Sequence, residues 1–226
     1  MDDAAKDAFD AQYRHLFTGD EAHVTGTQVP ALLIRRARDF NEPLMGRRAR
    51  FLMTSYSRDG EWLAHGWKDS LRIVSESVTP VDGIDEPAVW IQEERDFYGD
   101  CFTTNRFAVG ISRVWIEQYV STRQPVAVPS PHAWIDNLNR NPNAPELRSL
   151  QPAEGHPDPI GRRAVMVGET VETDLRAVGP VRMTDDGELA LTVVAERDWY
   201  RWSVLDYPMA PHPTLTWVPA VGVWIE

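Results

Sequence analysis

Two short stretches of this chain occur twice, in the same order. Gly46-Arg47-Arg48-Ala49 returns as Gly161-Arg162-Arg163-Ala164, and Glu94-Arg95-Asp96-Phe97-Tyr98 returns as Glu196-Arg197-Asp198-Trp199-Tyr200 with one aromatic exchanged for another. Between them, each copy has a turn signal feeding an apolar run: Thr79-Pro80-Val81-Asp82-Gly83 in the first, Thr184-Asp185-Asp186-Gly187 in the second. One recurring tetrapeptide means little in an arginine-rich chain. Several matches in a fixed order point to an internal duplication of one supersecondary unit. The spacing between copies is wider at the first match than at the second, so the first copy carries an insertion.

The local patterns fill that unit with strands. Arg50 to Tyr56 and Glu61 to Trp67 flank Arg58-Asp59-Gly60, a hairpin signal. Leu71 to Val74 and Ala88 to Ile91 read as further strands, and Phe107 to Val120 as a strand leading into a helical turn. In the second copy, Ala164 to Val167, Leu175 to Val181 and Leu189 to Val194 read as strands, and Thr214 to Val218 and Val221 to Ile225 supply closing ones. Residues 4–17 carry apolar side chains at helical spacing behind Asp2 and Asp3. The run from Ala31 to Ala37, introduced by Pro30, suits a second helix, with a strand as the alternative. Between Pro125 and Pro159 prolines are frequent, and Ala133 to Leu138 suits a short helix inside a connector.

These readings divide the chain into an N-terminal helical lead (1–45), a first β unit (46–124), a Pro-rich crossover (125–160) and a second β unit (161–226). The expected fold class is mainly β, a β-rich α+β arrangement of two related small barrel-like units behind the helical lead. Thr173 to Gly179, then Val181, Gly187 and Val193-Val194-Ala195-Glu196, form a stretch similar to the small OB-type barrel at the C-terminus of NfeD-like proteins. The resemblance is confined to that stretch and implies a barrel, not a function.

Composition narrows the function classes. A net charge of -11 and a pI near 5.0 repel phosphate backbones and anionic lipid, which argues against nucleic acid as the partner. Lys6 and Lys68 are the only lysines. The arginine excess is what GC-rich coding produces, and it also supplies bidentate donors for carboxylates. The lone Cys101 excludes an intrachain disulfide and a multi-cysteine zinc site, and reads as an inert core residue in a reducing compartment. The acidic N-terminus has no apolar run, and no stretch elsewhere is long and apolar enough to span a bilayer, so the expected location is cytoplasmic and no membrane is implied.

No phosphate loop, paired-histidine metal spacing or Gly-x-Ser-x-Gly turn is present in the sequence. The six histidines are scattered, with no pair three or four apart, and neither metal nor cofactor is expected. Glu94, Asp96, Glu196 and Asp198 could serve as paired acids. Placed in a strand, they would point away from Arg95 and Arg197, and Arg47, Arg48, Arg162 or Arg163 could neutralise them. An arginine-bridged ion network is the favoured reading of these acids. Nine tryptophans are many for this length, and Trp62, Trp67, Trp90, Trp199 and Trp202, with Arg95 and Arg197, are the candidate binding residues, ranked first as core and second as protein interface. The leading expectation is a non-enzymatic binding or assembly protein, such as an accessory or virion-type component, that holds a protein partner or itself. The alternative is a small-molecule β-barrel enzyme or binder with His65, Glu94, Asp96 and Tyr98 around an aromatic-lined pocket.

Overall fold

The computed structural model describes residues 29–56, 62–77, 81–99, 105–122, 146–168, 171–204 and 213–226. The expected helices at 4–17 and 133–138, the Arg58-Asp59-Gly60 turn, Trp134 and Cys101 lie outside the described residues. The fold is mainly β, with two antiparallel sheets, one of them curled into a half-barrel, and few helices.

Strands β1 (Val29–Arg36), β2 (Arg48–Tyr56), β3 (Trp62–Ser77), β4 (Ala88–Glu93), β5 (Arg106–Gly110), β6 (Val114–Thr122) and β7 (Glu146–Ser149) form the first sheet, in the order β5-β4-β3-β2-β6-β1-β7. Strands β8 (Gln151–Pro152), β9 (Arg163–Val167), β10 (Val171–Ala177), β11 (Arg182–Met183), β12 (Leu189–Ala195), β13 (Thr216–Pro219) and β14 (Val223–Ile225) form the second. Its order is β11-β12-β10-β9-β14-β8, with β13 also paired to β12. Setting β7 and β11 aside, the path β5-β4-β3-β2-β6-β1 matches β13-β12-β10-β9-β14-β8 strand for strand. The registers agree as well. Arg48 opposes Arg72 as Arg163 opposes Arg176, Ile73 opposes Ile91 as Ala177 opposes Val193, and Ala49 opposes Ile116 as Ala164 opposes Ile225.

The chain divides into two compact units, built chiefly on Leu33–Gln118 and Leu147–Glu226. Each has its own apolar core. Ala49, Leu71, Ile73, Val89, Ile91, Val109, Val114 and Ile116 pack together in the first; Ala164, Ala177, Leu191, Val193, Val218, Val223 and Ile225 do so in the second. These are alternate residues of their strands, so one face of each sheet is apolar by the period of two.

Four expectations need correction or refinement. Val29–Arg36 is a strand and not a helix. Its first six residues are all buried, and a continuous apolar run of that kind suits a doubly covered strand as well as a helix turn. Phe107 to Val120 is two strands, β5 and β6, joined by a 3-10 turn at Ile111–Arg113. Glu94–Tyr98 (α1) and Glu196–Trp199 (α2) are helical turns and not strand, so the strand alternation assumed for their acids does not apply. The insertion in the first copy is the longer β2–β3 hairpin, whose strands span 9 and 16 residues against 5 and 7 for β9 and β10.

The Gly-Arg-Arg-Ala segments enter β2 and β9 through one tight turn used twice. Gly46 and Gly161 have φ of 82° and 77°, a left-handed conformation that an L side chain resists. Their amides donate to Ile73 O at 2.7 Å and Ala177 O at 2.8 Å, fixing the turn to the neighbouring strand. Replacing Gly161 by Ala is expected to cost about 1 kcal/mol from backbone strain alone, since open space surrounds the added Cβ. Urea unfolding of Gly161→Ala should show a lowered midpoint at unchanged slope; an unchanged midpoint would refute the turn's strain.

Candidate functional site

Registry places two arginines side by side on the face of each sheet opposite its core. Arg48 and Arg72 are direct cross-strand partners on β2 and β3, as Arg163 and Arg176 are on β9 and β10. Like charges so placed repel. The first residue of the following helical turn resolves this by bringing a carboxylate between them. Glu94 Oε1 accepts from Arg72 Nε at 3.1 Å and lies 3.5 Å from Arg48 Nε. Glu196 Oε1 accepts from Arg176 Nε at 2.8 Å and from Arg163 Nε at 3.3 Å.

Arg72 and Arg176 are the hubs. Arg72 Nη1 donates to Gly46 O at 3.0 Å and Nη2 to the Tyr98 hydroxyl at 2.6 Å. Arg176 Nη1 donates to Gly161 O at 2.9 Å and Nη2 to the Tyr200 hydroxyl at 3.0 Å. Each guanidinium also lies over the helical turn's aromatics. Arg72 Cζ is 5.3 Å from the Tyr98 ring, and Arg176 Cζ is 5.3 Å from Tyr200 and 4.6 Å from Trp199. Phe97 and Trp199 hold equivalent places, each edge-on to the adjacent tyrosine. Glu94 and Glu196 are 1% and 0% exposed, and all four arginines are buried. Charges this far from water are stable only when paired, and each of these is, although the buried Arg48 Nε faces Glu94 without a hydrogen bond.

The two repeated segments thus meet in space, and the hub that binds both of them is in neither. Arg72 and Arg176 were missed in the sequence, although Leu71-Arg72-Ile73 and Leu175-Arg176-Ala177 each set a charge between apolar neighbours on a strand. A third repeat was missed too. Val114-Trp115-Ile116-Glu117 returns as Val223-Trp224-Ile225-Glu226, and Glu117 and Glu226 extend the ionic face by pairing with Arg50 and Arg163, each at 3.3 Å.

The other candidates are dispersed. Asp96 is buried and lies 3.4 Å from Arg95, whereas Asp198 is half-exposed and 3.9 Å from Arg197. Arg95 and Arg197 are themselves exposed, outside the cluster. Trp67 meets Trp115 edge-on at 4.7 Å with Arg50 5.3 Å from its ring, Trp90 lies under Arg106, and Trp202 is exposed. Trp62 and His65 oppose Tyr56 and Thr54 on the β2–β3 hairpin, and their side chains lie outside the described part of the structure. Among the described residues no group of three or more His, Cys, Asp or Glu is placed to hold a metal ion, and no helix is long and apolar enough to cross a membrane. Comparison with protein-family models, with curated proteins and with solved structures finds no match.

Two measurements probe this arrangement. Arg176→Met leaves Glu196 buried with one cation fewer, and is expected to destabilise the protein by about 3–5 kcal/mol, while Arg197→Ala stays within about 0.5 kcal/mol of wild type. Equal effects in chemical denaturation would contradict the assignment of Arg176 as the hub. The second concerns His156, which follows the 3-10 turn Ala153–Gly155 and accepts from Asp158 N through Nδ1 at 3.2 Å. Burial, reinforced by the Arg162 charge, holds its pKa below the usual 6.5. The unfolded chain therefore takes up this proton first, so His156's contribution to stability is complete above 6.5 and declines as pH falls through that value. NMR titration should place the His156 midpoint below 6.5 and raise it in Arg162→Gln; a midpoint above 6.5 would reverse the sign.

Proposed function

We propose that this chain is a non-enzymatic binding or assembly protein built on a duplicated β unit, two related small barrel-like modules with a helical lead, that holds a protein partner or a second copy of itself. One observation carries the reading. Of the charged residues in the repeated segments, Arg48 with Glu94 and Arg163 with Glu196 are engaged in the same way in both copies, in buried ion clusters centred on Arg72 and Arg176. A group whose hydrogen bonds are spent on a carbonyl, a tyrosine and a neighbouring strand is serving the fold and has little capacity left for a substrate. Catalytic demands would not be expected to recur unchanged in two modules, whereas the demand to keep a sheet and its helical turn together would.

Recognition then falls to what lies outside the clusters. In the second unit Met183, Leu215, Trp217 and Val221 are more than half exposed, and Leu215 and Trp217 are two residues apart at strand β13. Among the described residues β13 pairs with β12 alone, so it is a sheet edge bearing a tryptophan, a residue type enriched among the side chains that dominate binding at protein interfaces. The single cysteine in the sequence suits a reducing, cytoplasmic setting. Sedimentation over a wide range of protein concentration is expected to resolve an assembly that the double substitution Leu215→Ser, Trp217→Ser dissociates. A strictly monomeric wild-type protein would count against self-assembly and against this edge as its interface.

A further inference from the structure

The two units act as each other's control. What both keep is needed by the shared scaffold; what one has alone is not. By that criterion the most distinctive place is a cleft of about 530 Å³ in the first unit, lined by residues that include Phe51, Phe107, Asp85, Glu86, Gly110 and Arg113. Phe51 and Phe107 meet edge-on at 5.4 Å and pack against the apolar core, which gives the cleft an apolar wall. Registry identifies their counterparts. Phe51 opposes Val114 as Met166 opposes Val223, and Phe107 opposes Ile91 as Thr216 opposes Val193. The second unit therefore closes the same scaffold without either ring.

The rim differs too. Glu86 Oε1 accepts from Ser112 Oγ at 2.6 Å and Oε2 from Ser112 N at 3.2 Å, which fixes the carboxylate in place. It lies directly over Gly110, where a Cβ would come within 2.1 Å of Oε1. Opposite Ala190 the second unit has Pro219 where the first has Gly110 opposite Ala88, so this seat for a carboxylate exists once. Asp85 is exposed beside it, Arg113 is the one cation among the lining residues, and Arg36 is near enough to Glu86 to interact with its charge. Lys68 Nζ lies 5.1 Å from the Phe107 ring while paired to Glu93 at 2.9 Å, so that ring already has an ammonium against it.

From the paired rings and the exposed Asp85 carboxylate beside them we infer that this cleft binds a small arylalkyl amine, its ring edge-on to Phe51 and Phe107 and its ammonium on Asp85. The site is independent of the assembly reading and uses none of its residues. The chemistry is complementary on both counts: a third ring completes an edge-to-face cluster, and a cation answers the exposed Asp85 carboxylate.

The test is titration of isotope-labelled full-length protein, followed by NMR, with 2-phenylethylamine and with 3-phenylpropionate, which presents the same ring on an anionic tail. The amine should saturate with Kd on the order of 1 mM, shifting the Phe107 and Gly110 amides, and should bind about tenfold tighter than the acid. Phe107→Thr installs the residue that the second unit carries on the same scaffold, and should weaken the amine about tenfold while the spectrum stays dispersed. Asp85→Asn changes an exposed side chain and needs no repacking; it should narrow the gap between amine and acid. Absence of saturable binding, equal binding of the two probes, or an amine affinity untouched by both substitutions would each overturn the inference.

Discussion

A buried carboxylate held between two arginines on neighbouring strands is the interaction on which each unit depends. Antiparallel pairing alone would set Arg48 against Arg72 and Arg163 against Arg176, and nothing in the ladder relieves that repulsion. Glu94 and Glu196 relieve it from outside the sheet, because the strand before each turns helical at that residue and swings the carboxylate back over the strand face. The hub arginine then ties three separate pieces of chain together: the strand it belongs to, the entry turn through Gly46 or Gly161, and the helical turn through both its glutamate and the tyrosine that ends the repeat. Removing any one partner leaves the others charged and out of water, which is why such a network tolerates so little change.

This arrangement gives the sheets two working faces. One is apolar and forms the core of its unit; the other carries buried arginines and glutamates in register, extended by Glu117 and Glu226 at the closing strands. The ionic face cannot supply the main driving force, since desolvation consumes most of its Coulomb energy. Its contribution is directional. A slip of one residue would carry every arginine to the apolar face, so the charges fix the register that burial of leucine, isoleucine and valine then stabilises.

Where the units differ, the scaffold does not require the difference. The longer β2–β3 hairpin, the Phe51 and Phe107 pair and the Glu86 seat belong to the first unit, and the exposed Trp217 edge belongs to the second. The two units thus share a load-carrying frame and present unlike surfaces on it, as expected if each has its own ligand or partner.

The sequence by itself determined the strands with clean alternation, the hairpin, the two-copy order and the absence of familiar catalytic motifs, because periodicity and turn chemistry are local properties readable from neighbours. It left Val29–Arg36 open between helix and strand, since a run buried on both faces has no period to read. It gave no sign that Glu94–Tyr98 turns helical, because the segment is too short for a helical period to be visible and is held by contacts to residues far off in the chain. Only the tertiary structure decided which arginine meets which glutamate. Arg72 is 22 residues from Glu94 and Arg176 is 20 from Glu196, and such pairs are brought together by strand registry, which no local pattern encodes.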